Sequence, residues 1–277
     1  MTHVGPGFLS LPERTAKPRI TGLTHVLDKG LSIVQLSSLI EAASAHIDFL
    51  KLGWGTAYVS NGVKGKIAAC QKAGINAYLG GTLLEITVQQ GRLADFVLWL
   101  HRLGIKHVEV SNGALEMSLE RKRSLIRLLS KEFRVIAEVG SKDPNRPVVV
   151  ARWVDEMSGD LEAGASLAIA EGRESGTVGL YATGGQVREE LVEAITDALP
   201  AGRIMFEAPR KDQQAWFIRH VGPNVNLGNI QPDEVLALET LRLGLRADTL
   251  DLLPPTDEER ELPASQDAGH HSPPLIH

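Results

Sequence analysis

Residues 134–143 read RVIAEVGSKD, and this stretch decides the fold. Val135, Ile136, Ala137 and Val139 surround a single carboxylate, Glu138, before Gly140 breaks the run into a polar turn carrying Lys142. The run is too short and too β-branched for a helix, and an amphipathic segment over 119–131 precedes it, so it reads as a buried strand in an alternating β/α chain. A carboxylate there costs on the order of several kcal/mol unless a cation or a metal compensates it. Glu138 therefore marks either a structural Lys–Glu pair or a functional site.

Working outward, the same alternation runs along the chain. Strands are expected over 23–27, 48–53, 76–80, 107–111, 134–139, 166–171, 203–207 and 224–227. Helices are expected over 32–45, 62–73, 92–103, 119–131, 149–163, 188–199, 211–220 and 232–243, the last starting on Pro232 as a first helical residue. Eight such units match a single (β/α)8 TIM barrel better than a doubly wound sheet. The barrel is assigned to 19–250. Residues 1–18, rich in Gly, Pro and charge, read as a flexible N-terminal arm or loose cover, and 251–277 as a disordered tail. His270 and His271 in that tail have no third ligand nearby and are discounted as a metal site.

Composition narrows the partners. Among 277 residues, 43% are hydrophobic and 23% charged, enough for a large core without staples. The net charge of -5, with lysine and arginine dispersed over helices, gives no reason to expect nucleic acid. Cys70 is the single cysteine, so no intrachain disulfide can form, and its helical setting suits a core thiol. No membrane-length apolar stretch is present, and a cytoplasmic location is the expectation.

In a barrel of this kind the C-terminal strand ends form the active face, and side chains alternate between interior and helix side. A period of two puts Lys51 inside in DFLKLGW and Glu109 inside in HVEVS. Glu138, Glu171 and Glu207 follow the same rule. Carboxylates ringing a pocket repel one another unless lysines or a hard cation such as Mg2+ neutralise them, and a metal held by one or two of them, with water and substrate oxygens, suits the set. Asp28 and Lys29 end strand one. Asn112, Lys142, Arg173, Glu174, Ser175, Arg210 and Lys211 lie just beyond strand ends. Arg210 and Lys211 before a helix, and Arg173 in a Gly-rich turn, suit a phosphate or carboxylate.

These strings are specific enough to place. GLTHVLDKGL (22–31), DFLKLGWGTAYV (48–59), YLGGTLLE (78–85), VEVSNG (108–113), AEVGSKD (137–143), EGRESGTVGL (171–180), FEAPRKDQQ (206–214), NVNLGNI (224–230) and LETLRLGLRADT (238–249) resemble the phosphosulfolactate synthase family over nearly all of 18–250. The resemblance implies a (β/α)8 barrel that uses Mg2+ to add sulfite to phosphoenolpyruvate, giving (2R)-phospho-3-sulfolactate on the route to coenzyme M. It also implies Lys142 as the acid that protonates the carbon next to the carboxylate, although Ser141 stands where some relatives carry a first lysine. Lys29, Lys51, Arg173 and Lys211 would hold phosphate and sulfite, with Asn112 and Ser175 beside them. Glu109, Glu138 and Glu171 are the metal candidates, with Glu207 behind them.

Other readings stay open at this level. A related phosphoenolpyruvate-using barrel could take a different nucleophile, and an aldolase-like barrel could form a Schiff base on Lys51 or Lys142. A non-catalytic, stress-related homologue is a further reading, since the family includes members named for heat-stress tolerance. Barrels of this size commonly associate, which allows a homo-oligomer. His25, in strand one, reads as a satisfied core histidine.

Overall fold

The computed structural model describes residues 7–115, 117–140 and 147–254. Its core is an eight-stranded parallel sheet in the order β3-β2-β1-β8-β7-β6-β5-β4. The strands are β1 (Thr24–Asp28), β2 (Phe49–Leu52), β3 (Asn76–Leu79), β4 (His107–Val110), β5 (Arg134–Val139), β6 (Ala165–Ala170), β7 (Ile204–Glu207) and β8 (Leu227–Ile230). β3 and β4 lie side by side, so the sheet curls into a TIM barrel whose last seam closes by packing. The helices are α1 (Ile33–Ala43), α2 (Thr56–Val59), α3 (Val63–Lys72), α4 (Gly81–Gln89), α5 (Leu93–Leu103), α6 (Leu119–Leu129), α7 (Val150–Glu162), α8 (Glu189–Ala198), α9 (Lys211–His220) and α10 (Val235–Arg242). No helix among the described residues is long and apolar enough to cross a membrane.

Alternation along each strand sorts the core into two layers. Val26, Leu50, Leu52, Val135, Ala137, Val139 and Leu227 face the helices and join the large apolar core between sheet and helices. Leu23, Tyr78, Ile136, Leu167, Ile169 and Met205, with Phe49, fill the barrel interior. Phe49, Ile136, Ile169 and Met205 each stand two residues before Lys51, Glu138, Glu171 and Glu207. The interior is therefore apolar below and charged at the C-terminal mouth.

Three expectations are corrected. The last strand is Leu227–Ile230, three residues later than 224–227. The preceding segment is occupied with side-chain pairing instead: Asn226 accepts from the Leu23 backbone N–H through Oδ1 and donates to the carbonyls of Ile20, Ala201 and Ile204 through Nδ2. Pro232 opens a 3-10 turn, and the α-helix begins at Val235. The N-terminal arm, read as flexible, is held under the barrel from Arg14 onward. Arg14 pairs with Glu239 at 2.9 Å, Lys17 donates to the Ser44 and Ile47 carbonyls, and Arg19 grips Asp48 at 2.8 Å. The 255–277 stretch, including His270 and His271, lies outside the described residues.

Candidate active site

At the barrel mouth, a cavity of about 220 Å3 is lined by Lys51, Glu109, Glu138, Glu171, Arg173 and Glu207, with Trp54, Thr82 and Asn229 around its edge. Lys51 rises from β2 into the middle. Its Nζ lies 2.8 Å from Glu109 Oε2, 3.0 Å from Glu138 Oε2 and 4.0 Å from Glu207 Oε1. One lysine thus stands among carboxylates from β4, β5 and β7, the arrangement that the period of two required.

Close backbone approach fixes the carboxylates. The Gly81 N–H, at the start of α4, donates to Glu109 Oε1 at 2.6 Å. A Cβ on Gly81 would stand 2.8 Å from that same oxygen, so the contact needs glycine. Glu207 Oε2 accepts from the backbone N–H groups of Gly172 and Arg173, both at 2.9 Å, and Tyr181 donates its hydroxyl to the Glu207 carbonyl. Arg173 holds its N–H toward Glu207 in a left-handed conformation (φ 57°). Outside the barrel, Lys122 on α6 is buried against Asp160 at 2.6 Å and donates to the Glu138 carbonyl at 2.7 Å, pinning the end of β5.

Among the described residues of this cavity, carboxylates outnumber Lys51 and Arg173. Burial works against the Lys51 ammonium, but Glu109 and Glu138 outweigh it and hold its pKa well above the usual lysine range. Burial raises the Glu109 carboxyl; Lys51 opposes the rise and the charge of Glu138 adds to it. Burial, followed by the charge of Glu138, pushes Glu207 up to about 7. An excess of buried hard oxygen donors suits a divalent cation. Among the described residues no group of three or more His, Cys, Asp or Glu is arranged to hold a metal by itself; Mg2+ there would need substrate oxygens and water besides one or two of the carboxylates.

Beneath this layer, His25 bridges β1 and β8. The Asn229 backbone N–H donates to its Nδ1 at 3.1 Å, so the ring proton sits on Nε2 and is donated to Tyr78 Oη at 2.8 Å. Burial, and then Lys51, lower the His25 pKa well below the usual value and keep the ring neutral. It is a satisfied core histidine.

A second cavity, of about 360 Å3, adjoins the first over the ends of β4, β5 and β6. It carries Asn112, Ser175, Arg152, Arg188 and, shared with the first, Arg173. The sequence-derived set is therefore divided. Lys51, Glu109, Glu138, Glu171 and Arg173 meet in the inner cavity, and Asn112 and Ser175 line the outer one. Lys29 is exposed past β1, and Lys211 pairs with Asp248 at 2.7 Å; neither lines these two cavities, because one sits on a solvent turn and the other is drawn to the carboxylate beyond α10. Lys142 lies outside the described residues.

Sequence reasoning missed several contributors. Glu85 on α4 is buried and accepts from Ser111 Oγ at 2.5 Å and from the Ala114 and Leu115 N–H groups, shaping the loop after β4. The GGTLLEI string could have signalled it, because Glu85 falls on the apolar face of an otherwise apolar helix. Trp54 and Asn229 were equally unmarked, since neither a tryptophan nor an asparagine after a strand is distinctive by itself.

Comparison with known proteins gives a consistent answer. The family model for (2R)-phospho-3-sulfolactate synthase (ComA) matches residues 12–248. The chain is 43% identical over 245 residues to a phosphosulfolactate synthase of Methanothermobacter thermautotrophicus, covering 86% of this chain and 95% of that one. It is 41% identical over 244 residues to a phosphosulfolactate synthase of Bacillus subtilis, covering 87% and 97%. Among solved structures, orotidine 5'-phosphate decarboxylase from Pyrococcus horikoshii superimposes with a TM-score of 0.54 at 12% identity, over 79% of this chain and 98% of that one. That last likeness is one of fold.

Proposed function

This chain belongs to the (2R)-phospho-3-sulfolactate synthase family of carbon–sulfur lyases, and on that premise we propose that it adds sulfite to phosphoenolpyruvate, with Mg2+, to give (2R)-phospho-3-sulfolactate. The observation that carries the reading is the inner cavity, where Lys51 stands among Glu109, Glu138 and Glu207, with Glu171 and Arg173 in the same wall. A trianionic acceptor and an anionic nucleophile must be brought together there, which calls for fixed cations and for carboxylates able to hold a metal.

In this reaction the sulfite lone pair forms the C–S bond at the methylene carbon, and the π electrons of the double bond move toward the substrate carboxylate. A proton then reaches the adjacent carbon and completes the product. Mg2+, held by Glu109, Glu138 or Glu171, would supply charge stabilisation at the carboxylate when bound. Lys51, kept as an ammonium by its neighbours, lowers the cost of gathering negative charge in the cavity, and Arg173, reaching both cavities, would orient phosphate or sulfite. Lys142 is the proton donor in this proposal, on the strength of its match to the family motif. The raised pKa of Lys51 also counts against a Schiff base on that lysine, because the reaction needs the neutral amine.

Phosphorus NMR of the purified protein with phosphoenolpyruvate and sulfite tests the proposal. A new phosphoester resonance that requires Mg2+ is expected. An unchanged spectrum with phosphoenolpyruvate still bound would transfer the reading to a barrel with another nucleophile.

A further inference from the structure

Asn229 is the residue of the inner cavity that its surroundings leave least explained. It follows Gly228 near the end of β8, is 4% exposed and lines the cavity. Its backbone is left-handed at φ 56°, a conformation that asparagine tolerates better than other non-glycine residues. The backbone N–H is committed to His25 Nδ1, whose opposite nitrogen is anchored on Tyr78, so a chain of buried bonds through β1 and β3 holds this backbone in place. The side chain has no such commitment: Oδ1 is buried without a hydrogen-bond partner among the described residues. An unsatisfied buried carboxamide oxygen costs free energy, and the support from below fixes the backbone from which the carboxamide lines the cavity.

The walls differ in a way that assigns its role. Glu109, Glu138, Glu171 and Glu207 come from β4 to β7 and the turn after β6, whereas β8 and β1 bring no carboxylate to the lining. Asn229 is thus a neutral, dipolar group on the carboxylate-poor side. Its Nδ2 takes no hydrogen-bond partner among the described residues and, unlike Oδ1, is not shut off from the cavity, so the carboxamide offers an N–H there without turning.

We propose that Asn229 is a substrate-contacting residue whose carboxamide donates a hydrogen bond to an anionic oxygen of the substrate, while the His25–Tyr78 chain positions it. The proposal rests on the phosphoenolpyruvate reading for the identity of the anion. A neutral donor adds affinity here without adding to the charge imbalance of the mouth.

Asn229→Gly is the informative variant, because glycine adopts the left-handed backbone freely and deletes only the carboxamide. Calorimetric titration with phosphoenolpyruvate in Mg2+ is expected to show affinity reduced roughly ten- to a hundredfold, the range for a hydrogen bond to a charged group, with a cooperative melting transition retained. Asn229→Asp, of the same shape and equally tolerant of this backbone, is expected to weaken binding further by repulsion, and it serves as the test if the glycine variant does not fold. Wild-type affinity in the folded variant overturns the assignment. If the wild-type protein gives no titration with phosphoenolpyruvate, the substrate reading falls instead. Wild type and variant are then compared with inorganic phosphate, where equal affinity overturns the role of Asn229 and a loss in the variant upholds it.

Discussion

The two ends of the barrel each collect buried charge, but with opposite sign and opposite degrees of completion. At the base, Arg14, Lys17, Arg19 and Arg242 outnumber Glu239 and Asp48. The surplus cations are taken up by main-chain carbonyls: Arg242 donates to Pro223, Val225 and Leu23, and Lys17 to Ser44 and Ile47. At the mouth, among the described residues, Glu109, Glu138, Glu171 and Glu207 outnumber Lys51 and Arg173, and backbone N–H groups reach Glu109 and Glu207. The electrostatic consequences diverge. Burial would raise Glu239, yet Arg14 outweighs it and holds the carboxyl below its usual value, whereas Glu207 is pushed up to about 7. A cluster that the fold has neutralised supports the structure; a cluster left with an excess is built to receive something.

The comparison can be broken from either end. The largest expected effect is on Lys142, which follows the mouth strand β5 in sequence. Lys142→Ala should retain phosphoenolpyruvate and Mg2+ binding while turnover falls roughly 10²- to 10⁴-fold, the usual contribution of a positioned acid, and normal turnover would remove its proposed role. Lys51→Met deletes the central cation, and turnover should fall roughly 10²- to 10³-fold with weakened substrate binding, checked by steady-state kinetics. Arg14→Met, at the base, should cost about 3 kcal/mol in urea unfolding by leaving Glu239 buried without its main partner, while kcat and KM stay near wild type. A change in KM with unchanged stability would reverse the assignment of the two ends.

The smallest effect is the most diagnostic, because its sign differs between the clusters. A carboxyl with a raised native pKa binds its proton more tightly when folded, so the contribution of Glu207 is full below about pH 4.5 and is lost as pH rises through about 7. Glu239 has a lowered native pKa, so its contribution is present above the ordinary carboxylate range and is lost as pH falls. Glu207→Gln should therefore remove a stability loss on the order of 2 kcal/mol between pH 5 and 8, measured by urea titration without Mg2+. An unchanged pH profile would mean that the mouth carries no net strain of charge.

Much of this was legible before any coordinates. A buried strand with one carboxylate in RVIAEVGSKD, repeated in kind at Lys51, Glu109, Glu171 and Glu207, gave both the barrel and the inward-facing set, because strand periodicity is local and leaves no choice of face once one side must be apolar. Loop residues were less legible. Lys211 suits an anion by its place before a helix and Lys29 by the family resemblance, yet a turn's direction and a distant partner such as Asp248 cannot be read from spacing. Strand eight starts three residues later than the pattern predicts, because the Asn226 side chain bonds the Leu23 N–H and the Ile204 carbonyl in place of ladder bonds, in a way that no propensity reports.

By itself, then, the sequence determined the eight-fold alternation of strand and helix, the two-layered core and which strand residues face the interior, all consequences of hydrophobic period, but not the additional helices α2 and α4. Only the tertiary structure decided that Lys51 meets Glu109, Glu138 and Glu207, that Arg14 closes the base on Glu239, and that His25 locks Asn229 in place. Those pairs join residues 58, 87, 156, 225 and 204 positions apart. Such distances are closed by the curl of the sheet, which no local pattern encodes.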